Sequence, residues 1–181
     1  MKTLYTERLI LRPWSLDDLD DLYAYARNPN VGPAAGWEPH ASREVTMRIL
    51  QNFVSGEEVW AIALRGSGRA IGSVGLHDDQ RRSHVPDVKM LGYVLSEEHW
   101  GHGYMPEAVR AVLRHAFEEM GLSLMSVYHY PHNSKSRRVI EKCGFTHEGT
   151  LRQGSRIYDG TVYDSVMYSM TRDEYLALSR G

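Results

Sequence analysis

The chain has 181 residues, a formal net charge of −2 and a single cysteine. That length suits one domain with a substantial core, and so even a charge balance argues against a broad nucleic-acid-binding surface. With only Cys143 an intrachain disulfide is excluded, as expected of a reducing compartment, so a cytoplasmic location is expected.

No apolar run approaches the roughly 20 residues needed to span a membrane, and Met1-Lys2-Thr3-Leu4-Tyr5 carries no signal-peptide pattern. Arg8 to Arg12 alternates as a strand. Ser15 then caps a helix, with Asp18 completing a capping box and Trp14 and Leu19 placed as a hydrophobic staple. Leu16, Leu19, Leu22, Tyr23 and Ala26 mark the expected inward side. A loop from Asn28 to Pro39 contains Trp37, too large an apolar ring to leave in solvent without reason. A helix follows from Arg43 to Phe53, then a hairpin of strands, Val59 to Leu64 and Ala70 to Leu76, joined by Arg65-Gly66-Ser67-Gly68-Arg69. His77 to Asp87 is polar and reads as a loop. Lys89 to Ser96 reads as a strand.

Beyond it Val109, Val112, Leu113, Ala116, Phe117 and Met120 paint one apolar helical stripe. Pro106 and Glu107 suit its first turn, and Gly121 is placed to end it. Met125 to Tyr130 is a strand, followed by a helix from Asn133, a strand from Thr146 to Arg152, an Asp159-Gly160 turn and a returning strand, Val162 to Met170. Thr171 and Glu174 cap a last short helix. There is no repeat, low-complexity tract or linker, so residues 1–181 read as one mixed α/β domain.

The segment Trp100-Gly101-His102-Gly103-Tyr104-Met105-Pro106-Glu107-Ala108 joins strand to helix through two glycines one residue apart. Glycines allow successive N–H groups to turn into one concavity, and a helix N-terminus adds unpaired N–H groups and a positive dipole end. Together these suit a phosphate or pyrophosphate, although Gly-x-Gly also occurs in ordinary turns. A nucleotide P-loop is disfavoured because Tyr104-Met105 stands where Lys-Ser/Thr is required. The dinucleotide fingerprint lacks its third glycine, replaced by Pro106, and its acidic residue about twenty positions on, where Met120 and Gly121 stand.

Downstream, Asn133-Ser134-Lys135-Ser136-Arg137-Arg138-Val139-Ile140-Glu141-Lys142-Cys143-Gly144-Phe145 reads as a helix capped by Asn133 and closed by Gly144. Ser136, Val139, Ile140 and Cys143 share one face, so Ser136 points with the buried side, one turn after Asn133. Two readings stand for this polar pair: satisfaction of the helix end, or contact with a ligand. Cys143 reads as a packed small hydrophobe.

Gly-x-Gly opening one helix, then Asn-x-x-Ser and Glu-Lys-x-Gly-Phe some thirty residues later, resembles the GNAT N-acetyltransferases. Thr6-Glu7-Arg8-Leu9-Ile10-Leu11-Arg12 and Asp159-Gly160-Thr161-Val162-Tyr163-Asp164 resemble the RimJ/RimL-type branch, which acetylates ribosomal-protein N-termini. The resemblance implies a central mixed, mostly antiparallel sheet of six or seven strands, splayed beside the cofactor and flanked by helices. It implies acetyl-CoA as cosubstrate, its pyrophosphate held by the backbone at Trp100, Gly101, His102, Gly103 and Tyr104. Main-chain groups around Leu95 and Ser96 would pair with the pantetheine arm, Asn133 would bond the arm, and Lys135 or Arg138 would meet the ribose phosphate. A solvated helix face is the alternative for the two basic residues.

Many GNAT enzymes place on the second helix a tyrosine that protonates the leaving thiolate. Ile140 stands at that position here, and Ser136 is the nearest inward hydroxyl, as in the RimJ/RimL-type branch. Glu97 is the first candidate base and His77 the second, with a water-mediated route open. Glu98 stands where many members have Gln or Arg. The acceptor pocket is expected from the variable loops: Trp37 and Tyr158 as apolar walls, Glu38 attracting a cationic amine, His77 nearby. The nine histidines are scattered, and no metal constellation is expected.

The function these residues imply is acetyl transfer to a primary amine, the α-amine of a protein or peptide first. A small-molecule amine (polyamine, aminoglycoside or amino-acid derivative) is the alternative, and a non-catalytic acyl-CoA-binding module a third. The partners are then acetyl-CoA and an amine, with neither nucleic acid nor membrane. A homodimer is compatible with the composition.

Overall fold

In Leu9-Ile10-Leu11-Arg12 the alternation becomes a strand with Leu9 and Leu11 fully buried, since successive side chains of an extended chain face opposite ways. The structure, a computed structural model, describes residues 1–56 and 58–180. Its strands are β1 (Leu4–Tyr5), β2 (Leu9–Arg12), β3 (Val59–Leu64), β4 (Ala70–Asp78), β5 (Val88–Leu95), β6 (Leu124–His129), β7 (Thr146–Arg156) and β8 (Val162–Thr171). The helices are α1 (Leu19–Ala26), α2 (Gly32–Ala35), α3 (Arg43–Gly56), α4 (Tyr104–Arg114), α5 (Ser134–Lys142) and α6 (Arg172–Ser179). The strands hydrogen-bond in the order β1-β2-β3-β4-β5-β6-β8-β7, mixed and mostly antiparallel. Seven strands are legible in sequence. The eighth, β1, is two residues long, too short for alternation to reveal.

Two compact units divide the chain: Met1–Gly75 with Tyr93–Ala108, and Leu76–Gly92 with the residues from Val109 on. In the first unit β1, β2, β3 and the start of β4 form an antiparallel ladder, with Leu4 opposite Leu11, Leu11 opposite Ile62 and Ile62 opposite Gly72. Trp14, Leu22, Tyr25, Ala26, Val31 and Leu50 build its core with Ala61 and Ala70, and Leu19, Trp37, Val94 and Trp100 pack against it. Ser15 and Asp18 do form a capping box, but on a 3-10 turn, Leu16–Asp18, that precedes α1. That turn carries three residues per revolution rather than 3.6, which shifts the helical face. Leu16 is therefore exposed, contrary to the sequence expectation; within α1 Tyr23 is half-buried and Tyr25 buried. Asp18 is also buried and forms a two-pronged pair with Arg12 at 2.7 and 2.8 Å.

In the second unit β5 and β6 run parallel from Val88↔Leu124 to Met90↔Ser126, and the ladder ends there although both strands continue. β6 pairs with β8, and β8 with β7, both antiparallel. Val109, Val112, Leu113, Ala116 and Phe117 are buried as expected. Met120 is not, at 44% exposure. The cause is a widened π-type turn at His115–Glu119, in which Met120 N–H reaches back to His115 O at 3.0 Å. One such turn rotates everything beyond it by about one residue, and Leu122 is buried instead. At the end of α5, Gly144 takes φ +84, with Gly144 N–H on Glu141 O and Phe145 N–H on Ile140 O. This is the double hydrogen bond of a Schellman stop. No helix of the described residues is long and apolar enough to cross a membrane.

Candidate active site

After β5 the chain makes a 3-10 turn, Glu97–His99, and reaches α4 through Gly101 at φ +80 and Gly103 at φ +78. Both angles lie where a side chain is strained, so both positions favour glycine. Trp100 fixes the start of this loop: its indole N–H donates to Leu95 O at 2.8 Å, and its backbone N–H to Glu97 O at 3.1 Å. Beyond it, no acceptor among the described residues takes the N–H groups of Gly101, His102, Gly103, Tyr104 or Met105. Five consecutive unpaired donors, ending in the first turn of a helix, form a nest of a kind that suits an anion. Gly101, His102 and Gly103 are exposed, so the nest is open to solvent.

Two main-chain groups expected to meet a cofactor arm are already engaged. Ser96 N–H donates to Ile71 O at 2.8 Å, and Leu95 O accepts from Trp100. They hold the turn in place. Leu95 itself is buried.

Glu97 is half-buried, and its carboxylate accepts from the side-chain amides of Asn28 at 2.8 Å and Asn30 at 3.0 and 3.1 Å. It therefore ties the turn after β5 to the loop after α1. Farther along that loop, Trp37 packs against the core and its ring lies where a Cβ on Gly32 would stand, 2.6 Å away. The wall expected of Trp37 is thus largely packing surface. Glu38 is exposed.

The N-terminal segment also reaches the nest. Glu107, in the first turn of α4, accepts at Oε1 from Thr6 Oγ1 at 2.6 Å and Arg8 N–H at 2.8 Å. At Oε2 it accepts from Arg8 Nε and Nη2, both at 2.7 Å. Arg8 Nη1 donates to His102 O at 2.9 Å, and the guanidinium lies 4.5 Å from the centre of the Tyr104 ring. Burial alone would raise the Glu107 carboxyl; the hydrogen bonds from Thr6 and Arg8 outweigh it and hold the group below the usual carboxylate range.

In the second unit Asn133 caps α5, its side-chain oxygen accepting from Ser136 N–H at 3.0 Å. The helix-end reading of Asn133 thus holds for its oxygen, and its amide N–H groups are a separate pair of donors. Ser136 is half-buried, while Lys135 and Arg138 are exposed. Cys143 is buried, and burial pushes its thiol up to about 11, which suits a packed side chain rather than a nucleophile. His77 lies at the end of β4, its ring 3.2 Å from where a Cβ on Gly92 would stand. Tyr158 is 47% exposed at the β7–β8 turn.

Sequence reasoning missed an aromatic group at the turn into α5. There Tyr130, His132 and Tyr163 lie with ring centres 4.8 to 5.8 Å apart, and Asn133 N–H donates to Tyr130 O. It also missed a buried polar network in which Asp79 accepts from Ser126 and Arg82, both at 2.7 Å, and Arg82 continues to Glu148. Each group joins segments far apart in sequence: Tyr163 of β8 meets the turn after β6, and Ser126 of β6 and Glu148 of β7 meet the turn after β4. No cluster of three or more His, Cys, Asp or Glu among the described residues is placed to hold a metal ion.

A nest of main-chain donors at a strand-to-helix junction, with a capped Asn-x-x-Ser helix downstream, is an arrangement that can be compared with known proteins. The description "Acetyltransferase (GNAT) domain" fits residues 8–146. The chain belongs to the GNAT acetyltransferase family. It is 30% identical over 174 residues to the uncharacterized N-acetyltransferase YoaA of Bacillus subtilis strain 168, covering 93% of this chain and 96% of YoaA. It is 32% identical over 108 residues to the putative ribosomal N-acetyltransferase YdaF of the same organism, covering 60% of this chain and 57% of YdaF. The crystal structure of a GNAT-family acetyltransferase from Bacillus anthracis has the same fold, with a TM-score of 0.85 at 23% identity over 95% of this chain and 99% of that one. As an N-acetyltransferase of this family, the protein is an acyltransferase.

Proposed function

We propose that this GNAT enzyme transfers the acetyl group of acetyl-CoA to a primary amine, and that its acceptor is the α-amine of a protein or peptide N-terminus, as in the RimJ/RimL-type branch. The observation that carries the donor is the nest of five N–H groups from Gly101 to Met105. Such a run suits a pyrophosphate, which presents several oxygens to successive donors. The glycines leave the loop without side chains that would block close approach. The name of YdaF supports the acceptor.

Bound acetyl-CoA supplies the acetyl group as a thioester, whose C–S bond breaks as the new C–N bond forms. Residues 101–104 hold the pyrophosphate in this reading while Trp100 anchors the loop, Asn133 donates an amide hydrogen bond to the pantetheine arm, and Lys135 or Arg138 meets the ribose phosphate. Ser136 hydrogen-bonds the sulfur as charge develops there. A serine is a weak acid, so its part is stabilisation more than proton delivery. His77 or a water takes the proton of the incoming amine, and Glu97, whose carboxylate already accepts from Asn28 and Asn30, holds the segment after α1. Glu38 and Tyr158 contribute to acceptor binding, and the chain works as one N-acetyltransferase domain located in the cytoplasm.

The test is acetyl-CoA turnover against a panel of peptides with different first residues, polyamines, aminoglycosides and free amino acids. Turnover highest on peptide N-termini supports the proposal. Turnover confined to one small amine would shift the acceptor class, and binding without turnover on any acceptor would make the protein an acyl-CoA-binding module.

A further inference from the structure

Arg8 lies 94 positions before His102, yet it holds that residue's carbonyl oxygen from outside the nest. A trans peptide is planar, with its C=O and N–H pointing in opposite directions. Gripping His102 O from one side therefore aims the Gly103 N–H to the other. With Gly103 on its far side, the 102–103 peptide would otherwise turn at little steric cost there. Arg8 also answers an electrostatic difficulty. Glu107 adds a carboxylate to the helix turn that bounds an anion site, and alone it would repel the anion. Arg8 pairs with it through Nε and Nη2 while Nη1 reaches His102, and its Cζ lies 4.5 Å from the centre of the Tyr104 ring. One fork thus spans three residues of the loop and helix.

We propose that Arg8 is a positioning residue for the donor site: it fixes the 102–103 peptide and neutralises Glu107, so that the nest is set before an anion arrives. The inference rests on the acetyl-CoA reading of the nest. Lysine does not replace the arginine, because a single ammonium cannot bond both Glu107 and His102 O with the geometry of a planar fork. Thr6 completes the device by holding Glu107 Oε1.

The experiment compares acetyl-CoA with acetyl-pantetheine, which carries the same thioester and arm but no pyrophosphate, in the wild type and in Arg8→Lys. Losing a charge-assisted hydrogen bond at the nest should lower the ratio of kcat/KM for the two donors by about tenfold, mostly through the KM for acetyl-CoA. Thr6→Val, which removes one bond that holds Glu107 but keeps every charge, should lower it in the same direction and carries the test if Arg8→Lys does not fold. An unchanged ratio, or equal losses on both donors, would overturn the inference by making Arg8 a part of the scaffold only. A wild type that transfers acetyl from neither donor would overturn the acetyl-CoA reading itself, and this inference with it.

Discussion

The side-chain amide of Asn28 donates to the carboxylate of Glu97 at 2.8 Å, joining residues 69 positions apart. Asn30 adds its own amide to the same carboxylate. A carboxylate already serving two amides is built as a brace for the segment after α1, which leads through α2 to Trp37 and Glu38. Glu97→Ala should then raise the KM for the acceptor while lowering kcat by less than about tenfold, since a general base contributes roughly 10²–10⁴-fold. The acidic limb of the pH–rate profile should persist. Loss of that limb with a hundredfold fall in kcat would restore Glu97 as the base.

Ser136 follows one turn after the cap Asn133 and faces partly inward. Ser136→Ala should reduce kcat by about tenfold or more with little change in the KM for acetyl-CoA, because a hydrogen bond to developing thiolate charge is made only as the C–S bond breaks. Unchanged turnover removes Ser136 from the mechanism.

The Thr6–Arg8–Glu107 network predicts a pH dependence of stability. The Glu107 carboxyl is depressed in the folded protein, so its contribution is present above its ordinary value of 4.5 and is lost as pH falls through the lower folded value. Thermal unfolding should therefore show Tm falling below about pH 4.5, and Glu107→Gln should flatten part of that fall. A Glu107→Gln curve parallel to the wild type at every pH would remove the network from acid stability.

Gly72 of β4 backs closely onto β5. A Cβ there would collide with Val94 O, a backbone atom with no freedom to move aside. Gly72→Ala should destabilise by about 1–3 kcal/mol in denaturant unfolding, the range for overpacking a core. Wild-type stability in this variant would mean that the strands separate easily at this point.

Much of this architecture was legible because its determinants are local. Leu9/Leu11 alternation, the Ser15 and Thr171 capping boxes, the Asn133 cap, the Gly144 stop and the Asp159-Gly160 turn each lie within a few residues of sequence. Met120 and Leu16 were misplaced because a π-type turn and a 3-10 turn change the helical phase, and no single residue announces either. The candidate site divides in the same way. Gly101-x-Gly103 and Asn133-x-x-Ser136 carry their geometry in their spacing. The Arg8–Glu107, Glu97–Asn28, Asp79–Ser126 and Arg82–Glu148 partnerships do not, since each joins segments that meet only after the chain folds. Arg8 stood in the motif Thr6-Glu7-Arg8-Leu9, and only its partner was hidden.

The most direct test is acetyl transfer itself: purified protein, acetyl-CoA and a panel of peptides with free N-termini, with released thiol and acetylated product measured in the same reaction. The account predicts that the two appear in equal amounts, that the acetyl group is on the α-amine, and that Gly103→Val, which closes the nest, raises the KM for acetyl-CoA. Acetyl-CoA that is bound but not consumed with any amine, or turnover indifferent to Gly103→Val, would contradict it.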